Sequence, residues 1–83
     1  MKREFITFRS ITPAQHAQRV LRRGGIDTIL QRTPRQFEQR GCGYCLRLRP
    51  VDLEQAIQLL QHSGVSFQKI FTQDNGIPEE RVL

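Results

Sequence analysis

The chain has 83 residues, 37% of them hydrophobic and 25% charged, which suits one small domain with a single core and excludes a disordered chain. A domain of this size buries only about 60–65% of the surface its unfolded chain exposes, so chemistry is expected on an edge, a loop or a face. The net charge of +5 is unevenly placed, with eleven Lys/Arg against three Asp/Glu over residues 1–49 and two against five over residues 50–83; the first half attracts nucleic acid, an acidic protein or a small anion.

Met1-Lys2-Arg3-Glu4 leads straight into Phe5 without the apolar stretch of a signal peptide, and no apolar run approaches the roughly 18–20 residues of a membrane span. A soluble, cytoplasmic protein with no membrane partner is expected. Phe5-Ile6-Thr7-Phe8 reads as the first strand. Thr12-Pro13-Ala14-Gln15 carries helix-start chemistry: Thr12 caps, Pro13 sits where its missing N–H costs nothing, and Gln15 completes a capping box. The helix runs to about Arg23, Gly24-Gly25 stops it, and Ile26 to Leu30 supplies the second strand. Pro34 through Gly43 is a polar connection. Tyr44 to Arg49 alternates apolar and basic residues as a half-buried third strand does, with Tyr44, Leu46 and Leu48 toward the helices and Cys45, Arg47 and Arg49 on the open face.

Pro50 ends that strand, and Asp52 with Gln55 opens the second helix, whose buried stripe is Leu53, Ala56, Ile57 and Leu60. Gly64 stops it, and Val65 to Phe71 is the last strand. Asp74-Asn75-Gly76 turns the chain out into a mobile tail, leaving residues 1–73 as the domain and 74–83 as the tail. Ala17, Leu21, Gly25 and Ile26 recur thirty-nine residues later as Ala56, Leu60, Gly64 and Val65, so the domain reads as two similar β-α-β halves. The expected fold class is α+β: a ferredoxin-like β-α-β-β-α-β arrangement, with a four-stranded antiparallel sheet in the order 4-1-3-2 and both helices on one face. That topology gathers Ser10, Thr12, Cys42, His62 and Gly64 at one edge.

Two cysteines spaced Cys42-x-x-Cys45 close too small a loop to staple the fold, and in a reducing compartment they point to a reactive thiol or a metal. Cys42 lies in Arg40-Gly41-Cys42-Gly43, where glycines let the backbone turn and uncover the thiol. Arg40, Arg47 and the first amides of the first helix favour the thiolate, the reactive form. Ser10, Thr12 and those amides form an anion cradle with Arg40, Gly43 and Arg47 nearby, unless Thr12 simply caps. Cys45 is either the thiol that resolves an oxidised Cys42 or a bystander on a half-exposed strand. A thioredoxin-like reading is weakened because strand sequence, not a helix, follows the pair. Zinc would need His16 and His62 as further ligands, and their wide, unpaired spacing argues against it. No metal or cofactor is therefore expected, and no Gly-rich phosphate loop or nucleophilic triad is visible.

The strand ending Thr7-Phe8-Arg9-Ser10, the capped helix after it, and above all Cys42-Gly43-Tyr44-Cys45-Leu46-Arg47 followed by Pro50-Val51-Asp52-Leu53 resemble the selenium/sulfur carrier protein-like family over about residues 5 to 72. The most specific element is the Cys-Gly pair before an x-x-Leu-Arg strand. The resemblance implies a small non-enzymatic carrier whose cysteine, here Cys42, holds sulfur or selenium as a persulfide or selenosulfide, with Arg47 as a supporting cation. It also implies partners that donate and accept the atom, a cysteine desulfurase among them. Position 45 departs from the family's pattern, where a small apolar residue is commoner, and a neighbouring thiol can discharge a persulfide as a disulfide. The rival reading is a binding module that uses Arg9, Arg47 and Arg49 on the open sheet for RNA or an acidic protein. It lacks stacking rings other than Phe5 on that face. A third reading buries the open face in a homodimer.

Overall fold

The computed structural model describes residues 2–37 and 43–81. Five strands and two helices follow in the order β1 (Arg3–Phe8), α1 (Ile11–Arg23), β2 (Ile29–Arg32), β3 (Tyr44–Leu48), a 3-10 turn (Pro50–Asp52), α2 (Leu53–His62), β4 (Ile70–Asp74) and β5 (Ile77–Arg81). The sheet is antiparallel throughout and ordered β2-β3-β1-β4-β5. The four-strand order expected from the crossovers is present, with a fifth strand added at one edge. The correction comes from the segment expected to trail away as a tail. Asn75 (φ 56°) and Gly76 (φ 83°) take the two left-handed positions of a tight hairpin. They fold Ile77–Arg81 back onto β4, with Asp74 opposite Ile77 and Ile70 opposite Arg81.

Alternation decides what each sheet face buries. Ile6 and Phe8 of β1, Leu46 and Leu48 of β3 and Ile70 of β4 point to one face. There they meet Ala14, Ala17 and Leu21 of α1 and Leu53, Ala56 and Leu60 of α2 in one core. Small alanines at the contact let both helices lie close on the same face of the sheet. Tyr44 packs at the margin of this core, as its parity requires.

The internal repeat shows most clearly at the helix ends. Gly25 (φ 85°) and Gly64 (φ 69°) occupy equivalent left-handed positions. The N–H of Ile26 donates to the Leu21 carbonyl and that of Val65 to the Leu60 carbonyl, both at 2.9 Å, while Gly25 and Gly64 donate to Arg22 and Gln61. Each end is a Schellman motif closed by an apolar contact in the core. It also explains two boundary corrections. Ile26 and Val65, expected to start strands, are spent closing helices, so β2 begins at Ile29 and β4 at Ile70. Ahead of β4, Thr7 donates its N–H to the Lys69 carbonyl and accepts from the Gln68 N–H, both at 2.8 Å. Two residues thus face one, the pattern of a β-bulge.

The first helix start shifts, and the second falls where it is expected, at Asp52. Helix α1 begins at Ile11 with extended Ser10 as its N-cap residue, so Thr12 lies inside the first turn and does not cap. Asp52 is the N-cap residue of α2 but makes no capping bond: its backbone is helical (φ −94°, ψ −9°) rather than extended, and its carboxylate accepts from Arg49 Nε at 3.0 Å. Among the described residues, no helix is long and apolar enough to cross a membrane.

Candidate functional site

Chain direction brings three connections to one rim of the sheet: the turn from β1 into α1, the link from β2 to β3, and the stretch from α2 to β4. Ser10 and Thr12 are exposed there, and the Ser10 side chain makes no capping bond to the first amides of α1. Among the described residues no side-chain cap is seen for those amides, which lie at the positive end of the helix. Gly43 stands against the same turn. Its φ is 116°, and a Cβ built on it would lie 2.8 Å from the Phe8 carbonyl oxygen, so only glycine fits. Its carbonyl accepts the Thr33 N–H at 3.2 Å, closing the neck of the β2–β3 link. Cys42 and Arg40, expected to carry the thiol chemistry and a supporting charge, lie outside the described residues.

Cys45 is described, and its surroundings differ from the half-exposed strand position expected of it. Its side chain is on the face away from the helices, yet it is 0% exposed. Phe37, from the link that reads in sequence as a polar connection, packs on that face. Its ring stacks on Phe71 and meets Phe5 edge-on, each at 4.8 Å between centroids, and the three rings with Cys45 form a second small core. The Cys45 Sγ points toward the Arg32 carbonyl at 4.0 Å. Burial pushes the thiol up from 9.0 to about 11, while the nearby Thr33 hydroxyl and the Arg47 charge pull weakly the other way. Thr33 Oγ1 is itself buried without a hydrogen-bond partner at bonding distance among the described residues. At neutral pH Cys45 is therefore a protonated, covered thiol and a poor nucleophile.

The same three rings bear on the nucleic-acid reading. Phe5 and Phe71 are buried beneath Phe37 and offer no free π-face on which a base would stack. Phe37 had a sequence signal, a lone large aromatic inside a polar stretch. Nothing local identified its partners, which come from β1 and β4.

Arg47 shares the face of Cys45 two residues further along β3, which carries it away from Gly43 toward the opposite rim. There it lines a cleft of about 620 Å³ together with Lys2, Arg3, Arg49, Asp27 and Asp52. Arg49, exposed, is held by Asp52. The expected grouping is thus divided: Ser10, Thr12 and Gly43 share one rim, and Arg47 belongs to the other.

A protein-family model described as Putative Se/S carrier protein-like matches residues 3–72. No curated protein and no solved structure matches the chain.

Proposed function

This chain belongs to the Se/S carrier protein-like family, and from that premise we propose that it is a non-enzymatic carrier in which Cys42 bears the transferred sulfur or selenium. In the loading step the Cys42 thiolate attacks the outer sulfur of a donor persulfide. The donor's S–S bond breaks as the bond to Cys42 forms, and the donor leaves as a thiolate; the sulfur moves with its proton and no net oxidation occurs. Attack of an acceptor thiolate on the outer atom repeats the step in the forward direction. A cysteine desulfurase is the kind of donor this chemistry requires.

The observation that carries the reading, beside the family, is the burial of Cys45 with its thiol raised to about 11. A carrier's cargo is lost if a neighbouring thiolate attacks the carrier's own sulfur, releasing hydrogen sulfide and forming a disulfide. Keeping Cys45 protonated under Phe37 suppresses that discharge and leaves the carrier role to Cys42. The glycine after Cys42, fixed against the β1–α1 turn, supports a role for the first α1 amides, which Ser10 leaves uncapped, in stabilising an anionic sulfur. The test is sulfur transfer from labelled cysteine through a desulfurase. Label on the wild-type protein, released by a thiol reductant and missing from Cys42→Ser, bears the proposal out; equal labelling of Cys42→Ser defeats it.

A further inference from the structure

The cleft at the rim away from Gly43 belongs to none of the carrier chemistry. Its volume of about 620 Å³ falls within the roughly 300–1,000 Å³ typical of small-molecule sites. Its lining joins an apolar part, Ile29, Leu48 and Pro50, to four cations, Lys2, Arg3, Arg47 and Arg49, opposed by the two carboxylates Asp27 and Asp52, a surplus of two positive charges. Of the four, only Arg49 is neutralised among the described residues. Among the described residues Lys2, Arg3 and Arg47 have no carboxylate within ion-pair distance, although Asp27 lines the same space.

The strand register concentrates these charges. Phe5 pairs with Arg47 and Glu4 with Leu48, so one further step sets Arg3 opposite Arg49, with Arg47 on the neighbouring diagonal of the same face. Asp52 meets the charge of Arg49, which leaves Arg3 and Arg47 as like charges on one diagonal; these repel, and a bound anion relieves that repulsion. Thr28, where the lining enters β2, has its hydroxyl oxygen buried without a hydrogen-bond partner among the described residues.

We propose that this cleft binds a phosphate-bearing small ligand of nucleotide size. Arg3, Arg47 and Lys2 would take the phosphate, and Ile29, Leu48 and Pro50 would take an apolar or ring-shaped part. A phosphate monoester carries about −1.5 to −2 at neutral pH, which matches the surplus; a single carboxylate leaves half of it unmet. Arginine forks are suited to phosphate oxygens.

The assignment is tested on the full chain by following backbone amide NMR shifts during titration with AMP, inorganic phosphate, uncharged adenosine and a polyglutamate peptide, at physiological ionic strength. Expected are shifts confined to residues around Arg3, Thr28 and Arg47–Arg49 with AMP or phosphate, and none with adenosine. Tighter binding of AMP identifies a nucleotide-like ligand, and equal binding identifies free phosphate. Arg47→Ala and Arg3→Ala should each weaken the interaction by about ten- to a hundredfold, the range of one charged hydrogen bond. Arg19→Ala, exposed on α1 and outside the lining, should leave it unchanged. No shift at millimolar AMP and phosphate overturns the proposal. So does a response spread over all the arginines, or binding of polyglutamate alone, which would make the cleft a dock for an acidic protein. The wild-type shift map decides the matter even if a variant fails to fold, and repeating it in Cys42→Ser separates the result from the carrier proposal.

Discussion

Removing the ring that covers Cys45 should release its reactivity, and the size of the effect follows from the burial of the thiol. In a Cys42→Ser background Cys45 is the sole thiol, so its reaction with a chromogenic disulfide reagent reads one site. With Phe37 in place the thiol titrates at about 11, so about one molecule in ten thousand is a thiolate at pH 7. Phe37→Ala takes away the ring that closes the cluster with Phe5 and Phe71. If the thiol then relaxes toward its ordinary 9.0, the thiolate fraction, and with it the rate below pH 9, rises about a hundredfold. Phe37 packs on one sheet face from a connecting segment, so the loss of stability should stay at or below the ~3–5 kcal/mol of a full core Phe→Ala change. The domain should remain folded while the rate is read, a point checked by measuring the rate at two low denaturant concentrations. Fast labelling of Cys45 with Phe37 present, or a rate unmoved by its removal, refutes the argument that the ring seals the thiol.

The glycines should separate strain from collision. Gly64→Ala meets nothing within 4 Å and carries only the left-handed backbone penalty, about 1 kcal/mol. Gly43→Ala adds a Cβ 2.8 Å from the Phe8 carbonyl and should cost clearly more, about 2–3 kcal/mol; equal urea midpoints for the two would contradict this. Stability should also depend on Cys45 at alkaline pH. The folded state holds this proton more tightly than the unfolded chain, so the contribution is complete below pH 9 and is lost as pH rises from 9 toward 11. For a rise from 9.0 to about 11 the loss is bounded at about 3 kcal/mol. Comparing wild type with Cys45→Ala isolates it from the Lys and Tyr titrations, and parallel pH profiles would count against it. At the far edge, buried Glu4 is bonded by the Thr72 hydroxyl and by Arg81 Nη1 at 3.4 Å. Arg81→Ala should therefore loosen β5, raising amide exchange across Ile77–Glu80 with a stability loss of about 1 kcal/mol, reduced because Arg81 is half exposed. Unchanged exchange there would show that the hairpin holds without the pair.

What could be read from the sequence was what short-range physics determines. The thirty-nine-residue repeat pointed to two equivalent helix ends, and Gly25 and Gly64 end their helices with the same hydrogen bonds. The order of the first four strands followed from crossover handedness and from the period-two pattern of Tyr44 to Leu48. The fifth strand was missed because Ile77-Pro78-Glu79-Glu80-Arg81 has one exposed isoleucine and a proline. Its attachments, Lys69 to Glu80 and Arg81 to Glu4, are distant in sequence. Asn75-Gly76 is a hairpin signal, but without an apolar, alternating run after it the same dipeptide equally suits an exit from the fold. The candidate site was legible at Gly43 and the start of α1. The covering of Cys45 was not, since the rings clustered with it come from β1, β4 and the β2–β3 link, all but the last distant in sequence. Arg47 was grouped with Cys42 by nearness in sequence, whereas an extended strand advances about 3.3 Å per residue and carries it toward the other rim.

The central claim is that position 42 carries the chalcogen and position 45 does not. Intact-mass spectrometry after incubation with a desulfurase and cysteine, or with a selenium donor, tests it directly on wild type, Cys42→Ser and Cys45→Ser. The account predicts that wild type and Cys45→Ser each gain one sulfur or selenium atom and lose it to a thiol reductant, while Cys42→Ser gains none. An adduct that persists in Cys42→Ser and disappears from Cys45→Ser would contradict it.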